Sequence, residues 1–132
     1  MQDQDYEVLA DFRYTVRRFL KFSEEAAGAV GLSPQQHQAL LFARASQARR
    51  VTVGDLAEWL QIKPHSAAEL SSRLEAAGLL ERRADPEDRR RTLLCASDYG
   101  NHLLESLTEV HRQELQRLKE PLRDLLAMLD GQ

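Results

Sequence analysis

The sequence of 132 residues predicts a mainly α-helical fold that carries one small β-hairpin. Residues 52–78 contain two short amphipathic segments with a tight connection, and residues 79–96 contain two strand-like segments around a charged turn. Longer amphipathic segments lie on both sides of this unit. Helix, turn, helix and hairpin in this order are typical of a winged helix-turn-helix. We therefore predict such a core at about 33–96, with terminal dimerisation helices at about 6–28 and 98–130.

Length and composition are typical of one folded domain that spans residues 1–132. Apolar residues make up 42% of the chain, which is enough to form a core. The single cysteine excludes an internal disulfide, and no apolar run approaches the ~20 residues of a membrane span. The acidic start also lacks the basic and apolar regions of a signal peptide. We expect a cytoplasmic protein without membrane association.

The overall charge does not favour a general nucleic-acid binder. The formal net charge is -3, whereas nucleic-acid-binding domains are usually basic. A local basic patch decides docking, however, and acidic ends can lie away from it. Binding to nucleic acid is therefore expected only through a local surface.

The first two helices follow from apolar spacing and from capping residues. Apolar residues between Val8 and Phe22 recur at helical spacing, which predicts the first helix. Ser33 can cap a second helix, Pro34 suits its first turn, and Gln36 can complete a capping box. The polar segment 46–50 is expected to form the loop that follows.

A second capping pattern predicts where the helix-turn-helix begins. Thr52 and Asp55 can cap a third helix at about Val53–Leu60. Residues 61–63 form the short turn, and the fourth helix that follows stops at Gly78. This fourth helix takes the position of the recognition helix.

The exposed face of the fourth helix offers groups that suit base edges. Arg73 can bind guanine, and Glu69 can accept a hydrogen bond from cytosine N4. Arg73 has two alternatives, which are a phosphate contact and an ion pair with Glu69. The predicted DNA-contacting residues of this region are Lys63, His65, Ser66, Glu69, Ser72 and Arg73.

The hairpin is predicted from two strands at about 79–83 and 91–96. The connection begins with Asp85 and Pro86 and is interpreted as a solvated turn. It also carries three consecutive arginines, which are Arg89, Arg90 and Arg91. A narrow minor groove attracts arginine, so after a helix-turn-helix these residues predict a DNA contact. The alternative is a solvated hairpin tip whose charge the neighbouring acids balance.

The C-terminal part predicts a long helix and a dimer. Ser97 and Asp98 can cap the fifth helix, and Pro121 is expected to end or kink it before a last helix reaches Leu129. One apolar row follows three-four spacing and comprises Leu104, Leu107, His111, Leu115, Leu118, Leu122, Leu125 and Leu129. This row and the apolar stripe of the first helix exceed what a winged unit covers, so we predict a two-fold homodimer.

Other reactive residue types do not predict catalysis. The four histidines lack i,i+4 spacing, so neither a metal site nor a cofactor is predicted. His111 is interpreted as a satisfied core or interface histidine, with a pH-sensitive contact as the alternative. Trp59 is interpreted as packing, with ligand stacking as the alternative, and Cys95 as an inert strand residue. Motifs of enzymes, such as a phosphate-cradling glycine loop or a nucleophile elbow, are not found.

The sequence resembles the MarR family of bacterial transcription regulators over nearly its whole length. The most specific segment is GLLERRADPEDRRRTLL, which is similar to the wing of the family. Two further segments, GLSPQQHQALL and VGDLAEWLQI, are similar to its second and third helices. The resemblance implies a dimer that binds double-stranded DNA at a pseudo-palindromic operator, as a repressor released by a small aromatic or anionic effector.

The resemblance also implies roles for single residues. Arg90 matches the arginine that enters the minor groove, and Asp88 matches the acid that braces the wing. Lys63 departs from the family, which often has a small hydroxyl residue there. Ala68 and Glu69 depart as well, since a serine and a basic residue are common at these positions. These departures imply modest DNA affinity or an unusual sequence preference.

The predicted effector site lies on the first two helices. Arg13, Tyr14 and Arg17 could line a pocket for an anionic ligand, with solvated helix charges as the alternative. His37 lies near the position where members of the family bind ligands, although packing is the alternative role. For the whole chain, the alternative to DNA binding is a winged-helix protein-interaction module with little or no affinity for DNA.

Overall fold

Six α-helices and a two-stranded hairpin form the computed structural model, which describes residues 1–131. In chain order these are α1 (Asp3–Ala29), α2 (Pro34–Ala45), α3 (Val53–Leu60), α4 (Pro64–Ala76), β1 (Leu80–Ala84), β2 (Thr92–Ala96), α5 (Asp98–Leu115) and α6 (Lys119–Leu129). Short 3₁₀ turns precede α3 and α6 at Gln47–Arg49 and Gln116–Leu118. The predicted winged helix-turn-helix with added terminal helices is confirmed.

Capping boxes begin α2 and α3 as predicted. The Ser33 hydroxyl accepts from the Gln36 N–H at 3.1 Å, and the Gln36 side chain accepts from the Ser33 N–H at 2.9 Å. Thr52 and Asp55 make the same reciprocal pair at 2.9 and 3.3 Å. Each box satisfies backbone donors that the start of a helix leaves unpaired. Because these signals are local, both helices begin where the sequence places them.

The core of the winged unit consists largely of leucines from different elements. Leu40 of α2, Leu56 of α3, Leu74 of α4 and Leu94 of β2 are all at most 2% exposed and belong to one cluster. Burial of each such side chain contributes roughly 1.5–3 kcal/mol relative to exposure. This shared core therefore holds α4 and the hairpin in one fixed relation.

The hairpin differs from the prediction at its edges. Strands β1 and β2 pair antiparallel, but both begin one residue later than predicted. Leu79 belongs instead to the C-terminal cap of α4, since its N–H donates to the Leu74 carbonyl at 2.9 Å. Gly78, which lies between α4 and β1, has a φ of 77°, a left-handed value that favours glycine. This conformation supports the prediction that the fourth helix stops at Gly78.

A close contact joins α5 to the winged unit. The Ser97 hydroxyl accepts from the Gly100 N–H at 3.0 Å and donates to the Gly78 carbonyl at 2.6 Å. A Cβ at Gly100 would overlap the Leu79 carbonyl oxygen, so only glycine fits there. The predicted cap at Ser97 is confirmed, and it also anchors the long C-terminal helix to the end of α4.

The C-terminal helix breaks earlier than predicted. The break is the 3₁₀ turn at Gln116–Leu118, and Pro121 lies inside the first turn of α6. A proline ring crowds the carbonyl four residues before it, which here belongs to Arg117. The proline therefore disturbs the preceding turn, whereas its own position suits the start of a helix.

The predicted apolar row divides into a buried half and an exposed half. Leu104 and Leu107 are buried in the core, whereas Leu115, Leu122 and Leu129 are 45%, 41% and 68% exposed. Helix α6 packs along α1, on which further large apolar side chains are exposed. Exposed apolar side chains thus remain on both terminal helices.

A buried histidine pair lies where α1, α2 and α5 meet. The His111 Nδ1 lies 2.6 Å from the Leu107 carbonyl oxygen, and its Nε2 lies 2.8 Å from the Ser23 hydroxyl. A carbonyl only accepts, so Nδ1 carries a proton, while Nε2 pairs with the Ser23 hydroxyl. The ring of His37 lies 5.1 Å from that of His111. The predicted satisfied core histidine is confirmed for His111.

We expect this pair to make stability depend on pH. Burial and the adjacent His111 ring lower the pKa of His37 below its ordinary value of 6.5. The folded state then favours the neutral ring, so its contribution is present above pH 6.5 and is lost as pH falls through the folded pKa. The free energy of unfolding in urea should fall between about pH 7.5 and 5.5, and less so in His37→Gln.

The matched control is His65→Gln, because His65 is exposed on α4. That variant should keep the pH dependence of the wild type. Equal pH dependence in wild type and His37→Gln would contradict the assignment of this effect to the buried pair.

Candidate DNA-binding surface

The outer face of α4 carries the side chains that the sequence predicts to contact bases. Glu69 and Arg73 are exposed one helical turn apart. Among the described residues no ion pair joins them, which leaves both groups open to DNA. Lys63 occupies the N-cap position before Pro64, and its side chain is exposed. The remaining residues of the predicted face are exposed or half-buried, namely His65, Ser66 and Ser72.

A hydrogen bond from the wing reaches the predicted base-contacting face. The Arg82 guanidinium on β1 donates to the Ser72 hydroxyl at 2.9 Å and lies 3.7 Å from a carboxylate oxygen of Glu75. Arg82 thereby links β1 to the C-terminal half of α4. The sequence prediction missed Arg82, because a charged residue on an exposed strand gives no signal of its partner.

The wing tip presents Arg90 to solvent on a turn that Asp88 shapes. One Asp88 oxygen accepts from the Arg90 backbone N–H at 3.1 Å and from its Nε at 3.2 Å. The Arg90 side chain is nevertheless 91% exposed. The side-chain hydrogen bond from Arg90, followed by the backbone one, lowers the pKa of Asp88. The carboxylate is therefore charged at neutral pH and orients an arginine that remains accessible.

The three wing arginines differ in their surroundings. Arg89 is exposed like Arg90, but Arg91 turns inward, with its guanidinium 3.6 Å from Asp85 and donating to the Arg50 carbonyl at 3.3 Å. The structure thus brings Arg89 and Arg90 together at the tip and places Arg91 at the base. The predicted role of Arg91 in DNA contact stays a prediction.

The interpretation of the hairpin connection as solvated is wrong at Asp85, which is only 2% exposed. Its Oδ1 accepts from the Glu87 N–H at 2.9 Å and lies 3.6 Å from the Arg50 guanidinium. A carboxylate can be buried when cations and backbone donors surround it. Asp85 meets these conditions because the hairpin folds over the loop before α3.

Arg50 is a second residue that the sequence prediction missed. It lies in segment 46–50, which was expected to be a polar loop but contains the 3₁₀ turn. Its φ of 57° is left-handed, and its guanidinium also contacts Glu87 at 2.8 Å. The next residue, Val51, accepts from the Leu94 N–H at 2.9 Å, which attaches the loop to β2. Asp85 directly follows β1, and a carboxylate buried there requires a cation from elsewhere in the chain. This requirement is the signal that could have pointed to Arg50.

The predicted effector residues occupy three different places. Tyr14 and Arg17 line one groove of about 660 Å³ between α1 and the end of α5. Arg17 also borders a smaller groove of about 270 Å³, which contains Arg13. His37 is buried and packs on His111. The structure therefore brings Tyr14 and Arg17 together but separates His37 from them.

The remaining reactive side chains have ordinary surroundings. Trp59 is 49% exposed and stacks on Phe42 with ring centroids 4.9 Å apart, as the packing interpretation predicts. Cys95 is half-buried on β2 opposite Glu81.

Within residues 1–131 no cluster of three His, Cys, Asp or Glu is placed to hold a metal ion. No helix in the same range has the length and apolar character needed to cross a membrane.

Comparison with known proteins gives one family match. The model of the MarR family matches residues 30–91, which hold α2, α3, α4, β1 and the wing tip. The predicted resemblance to this family is confirmed. No curated protein matches the sequence.

Solved structures share the fold over most of the chain. MepR, a transcription regulator of the Staphylococcus aureus multidrug efflux pump MepA, is 22% identical, with a TM-score of 0.79 over 91% of this chain and 94% of that chain. A MepR–DNA complex is 22% identical, with a TM-score of 0.72 over 91% and 89%. CouR from Rhodococcus jostii RHA1, bound to p-coumaroyl-CoA, is 23% identical, with a TM-score of 0.72 over 98% and 95%. The chain therefore shares the fold of these solved structures over most of its length.

We expect Arg90→Ala to weaken DNA binding without unfolding the protein. The side chain is exposed and its partner Asp88 is local, so the fold does not depend on it. Loss of one arginine contact should lower affinity by roughly five- to a hundredfold. Fluorescence anisotropy with duplexes of equal length should show the largest loss where an A/T-rich flank narrows the minor groove.

Arg89→Ala is the matched control, since Arg89 is exposed next to Arg90. Its loss should weaken all duplexes similarly, as expected for a phosphate contact. Unchanged affinity of Arg90→Ala for A/T-flanked duplexes would contradict a minor-groove role for the wing.

Proposed function

We propose that this chain, whose winged helix-turn-helix matches the MarR family, is a sequence-specific DNA-binding repressor that acts as a homodimer. The observation that carries the proposal is the joint presentation of two exposed groups on one rigid core. Helix α4 offers an open polar face, and the adjacent wing offers Arg90. A major groove admits a helix, and a narrow minor groove attracts an arginine.

The distribution of charge supports DNA contact despite the net charge of -3. Acids near the wing are paired with arginines of the chain: Asp85 and Glu87 with Arg50, and Asp88 with Arg90. The acids near the tip are therefore already ion-paired, and the guanidiniums of Arg89 and Arg90 face solvent. Phosphate attraction depends on such local charge.

Glu69 gives the proposed recognition a specific chemical preference. It is exposed on the outer face of α4, between His65 and Arg73. A carboxylate repels phosphate and can accept a hydrogen bond from cytosine N4. We expect operators to place a cytosine near Glu69, with Arg73 contacting guanine or phosphate.

Dimerisation is proposed from the apolar surface of the terminal helices. Leu122, Leu126 and Leu129 of α6 are 41%, 59% and 68% exposed, and Leu9 and Leu20 of α1 are about half exposed. A contiguous apolar surface of this kind usually marks an interface. A second copy related by a two-fold axis would cover it and would present two α4 helices to one face of DNA.

We further propose that an anionic effector binds the groove between α1 and the end of α5. Tyr14 offers a ring, while Arg17, Arg18 and Lys21 offer positive charge. Two carboxylates, Glu25 and Glu114, also line the groove, and Glu114 lies 3.7 Å from Arg117. Aromatic and cationic side chains together suit an aromatic carboxylate or a phosphate-bearing ligand. This groove touches the helices of the proposed dimer, so a bound ligand would bias the spacing of the two winged units.

The second candidate function is a protein-interaction module without DNA binding. Two observations favour it, namely the acidic Glu69 at the centre of the α4 face and the negative net charge. Binding to duplex DNA that falls steeply with salt would favour the DNA-binding function, because each neutralised phosphate releases condensed counterions.

Selection from random duplexes should enrich an inverted repeat. Two α4 helices of one dimer should contact half-sites about one helical turn apart. The logarithm of affinity should fall with that of salt at a slope of about -0.9 per neutralised phosphate. Enrichment of no repeat, together with weak binding that ignores sequence, would favour the interaction module.

Leu122→Glu combined with Leu126→Glu should convert the dimer into a folded monomer. Both residues are exposed in the single chain, so charge there should disturb the proposed interface more than the core. Sedimentation velocity at micromolar concentration and circular dichroism would report mass and helicity. Tyr99→Glu is the control, because Tyr99 is 56% exposed at the start of α5. A monomeric wild type would exclude the proposed assembly.

A further inference from the structure

The base of the wing contains a buried carboxylate held by arginines from two segments. Asp85 lies with its Oδ1 3.6 Å from the Arg50 guanidinium and its Oδ2 3.6 Å from that of Arg91. The Asp85 side chain is 3% exposed, whereas those of Arg50 and Arg91 are 43% and 45% exposed. The acid is therefore enclosed, and both cations reach it from the surface.

The two arginines are also joined to each other through the backbone. The Arg91 guanidinium donates to the Arg50 carbonyl at 3.3 Å, and the Arg91 carbonyl accepts from the Asp85 N–H at 3.1 Å. These contacts connect the loop before α3 to both ends of the hairpin connection. By contrast, Asp88 contacts Arg90 within the tip and does not reach the body of the protein.

We propose that Arg50, Asp85 and Arg91 form a wing latch that positions Arg90 for DNA binding, with Arg50 and Asp85 as positioning residues. The proposal rests on the proposed DNA-binding function. It assigns the bracing of the wing against the body to Asp85, whereas Asp88 shapes only the turn at the tip. The latch fixes the direction of the hairpin relative to α3 and α4, so Arg90 meets the minor groove while α4 lies in the major groove.

Electrostatics and positioning make opposite predictions for Asp85, which gives a sharp test. Removal of a negative charge near DNA should tighten binding if the acid acts only through its charge. The latch predicts weaker binding, because an uncharged side chain no longer holds Arg50 and Arg91 together. Asp85→Asn keeps the size and the acceptor for the Glu87 N–H, so it tests charge pairing with little change in volume.

The control for charge alone is Glu81→Gln. Glu81 lies on β1 with a side chain that is 48% exposed, and its ion pair is with Arg83 rather than with the latch. Loss of this charge should leave DNA affinity equal or slightly tighter. Arg50→Gln opens the latch from the other side, at a residue exposed enough for the fold to tolerate the change.

Affinity for a duplex selected by the wild-type protein would be measured by anisotropy at one salt concentration, below the melting temperature of every variant. Asp85→Asn and Arg50→Gln should each weaken binding roughly tenfold, a loss of about 1.4 kcal/mol. The double variant should be about as weak as the weaker single variant, because both changes break the Arg50–Asp85 pair. Arg50→Gln also removes the contact with Glu87, but the Glu87 side chain is 77% exposed and such a pair contributes little.

Amide exchange in the free protein supplies a readout that does not require DNA. The Leu94 N–H donates to the Val51 carbonyl next to Arg50, so an open latch should speed its exchange. Glu81→Gln should leave this amide as protected as in the wild type.

Three outcomes would overturn the latch: equal or tighter DNA binding by Asp85→Asn, additive losses in the double variant, or unchanged exchange at Leu94. If Asp85→Asn does not fold, the exchange rate of the Leu94 amide in Arg50→Gln against Glu81→Gln decides, because loss of the Arg50 charge weakens DNA binding without any change in the position of the wing. A wild-type protein that prefers no duplex sequence would contradict the proposed function itself. Selective wild-type binding that Asp85→Asn retains would overturn the latch alone.

Discussion

The leucine core that α2, α3, α4 and β2 share is the constraint on which the rest of the structure depends. Leu40, Leu56 and Leu74 are fully enclosed, and Leu94 brings the hairpin into the same cluster. Close-packed interiors transmit position, because side chains there have few alternative arrangements. The distance between the α4 face and the wing is therefore fixed before any partner binds. Gly100 extends this rigidity to α5, since its missing side chain lets the helix start against the Leu79 carbonyl.

Local charge rather than total charge explains how an acidic chain can present a surface to DNA. The negative net charge comes from acids spread over the whole sequence, whereas the wing tip exposes Arg89 and Arg90. Acids close to the wing are ion-paired: Asp85 is enclosed between two arginines, and Asp88 accepts from Arg90. Glu69 is different, because it stands exposed on the α4 face without an ion pair among the described residues. In the proposed function it would restrict binding to sites that supply a donor.

The features that the sequence predicts correctly are those that neighbouring residues determine. Ser33, Thr52 and Ser97 each cap a helix within three or four residues of themselves, so their patterns are visible in a short window. Partnerships across the chain leave no such pattern. In the sequence Asp85 looks like part of a solvated turn, and only the fold shows that Arg50 lies against it. The sequence likewise places Arg82 on a strand but does not reveal its hydrogen bond to Ser72. The same limit applies to the effector candidates, because helix spacing could not show that His37 packs inside on His111.

If α4 and the wing form one DNA-binding surface, hydrogen–deuterium exchange with and without an operator duplex should reveal it. We expect slower exchange in segments 63–73 and 85–91 on addition of the duplex, with a scrambled duplex giving a smaller effect. Segments of α1 that carry Arg13, Arg17 and Lys21 should show no comparable protection. Protection centred on the α1 arginines, with α4 and the wing unchanged, would contradict the account.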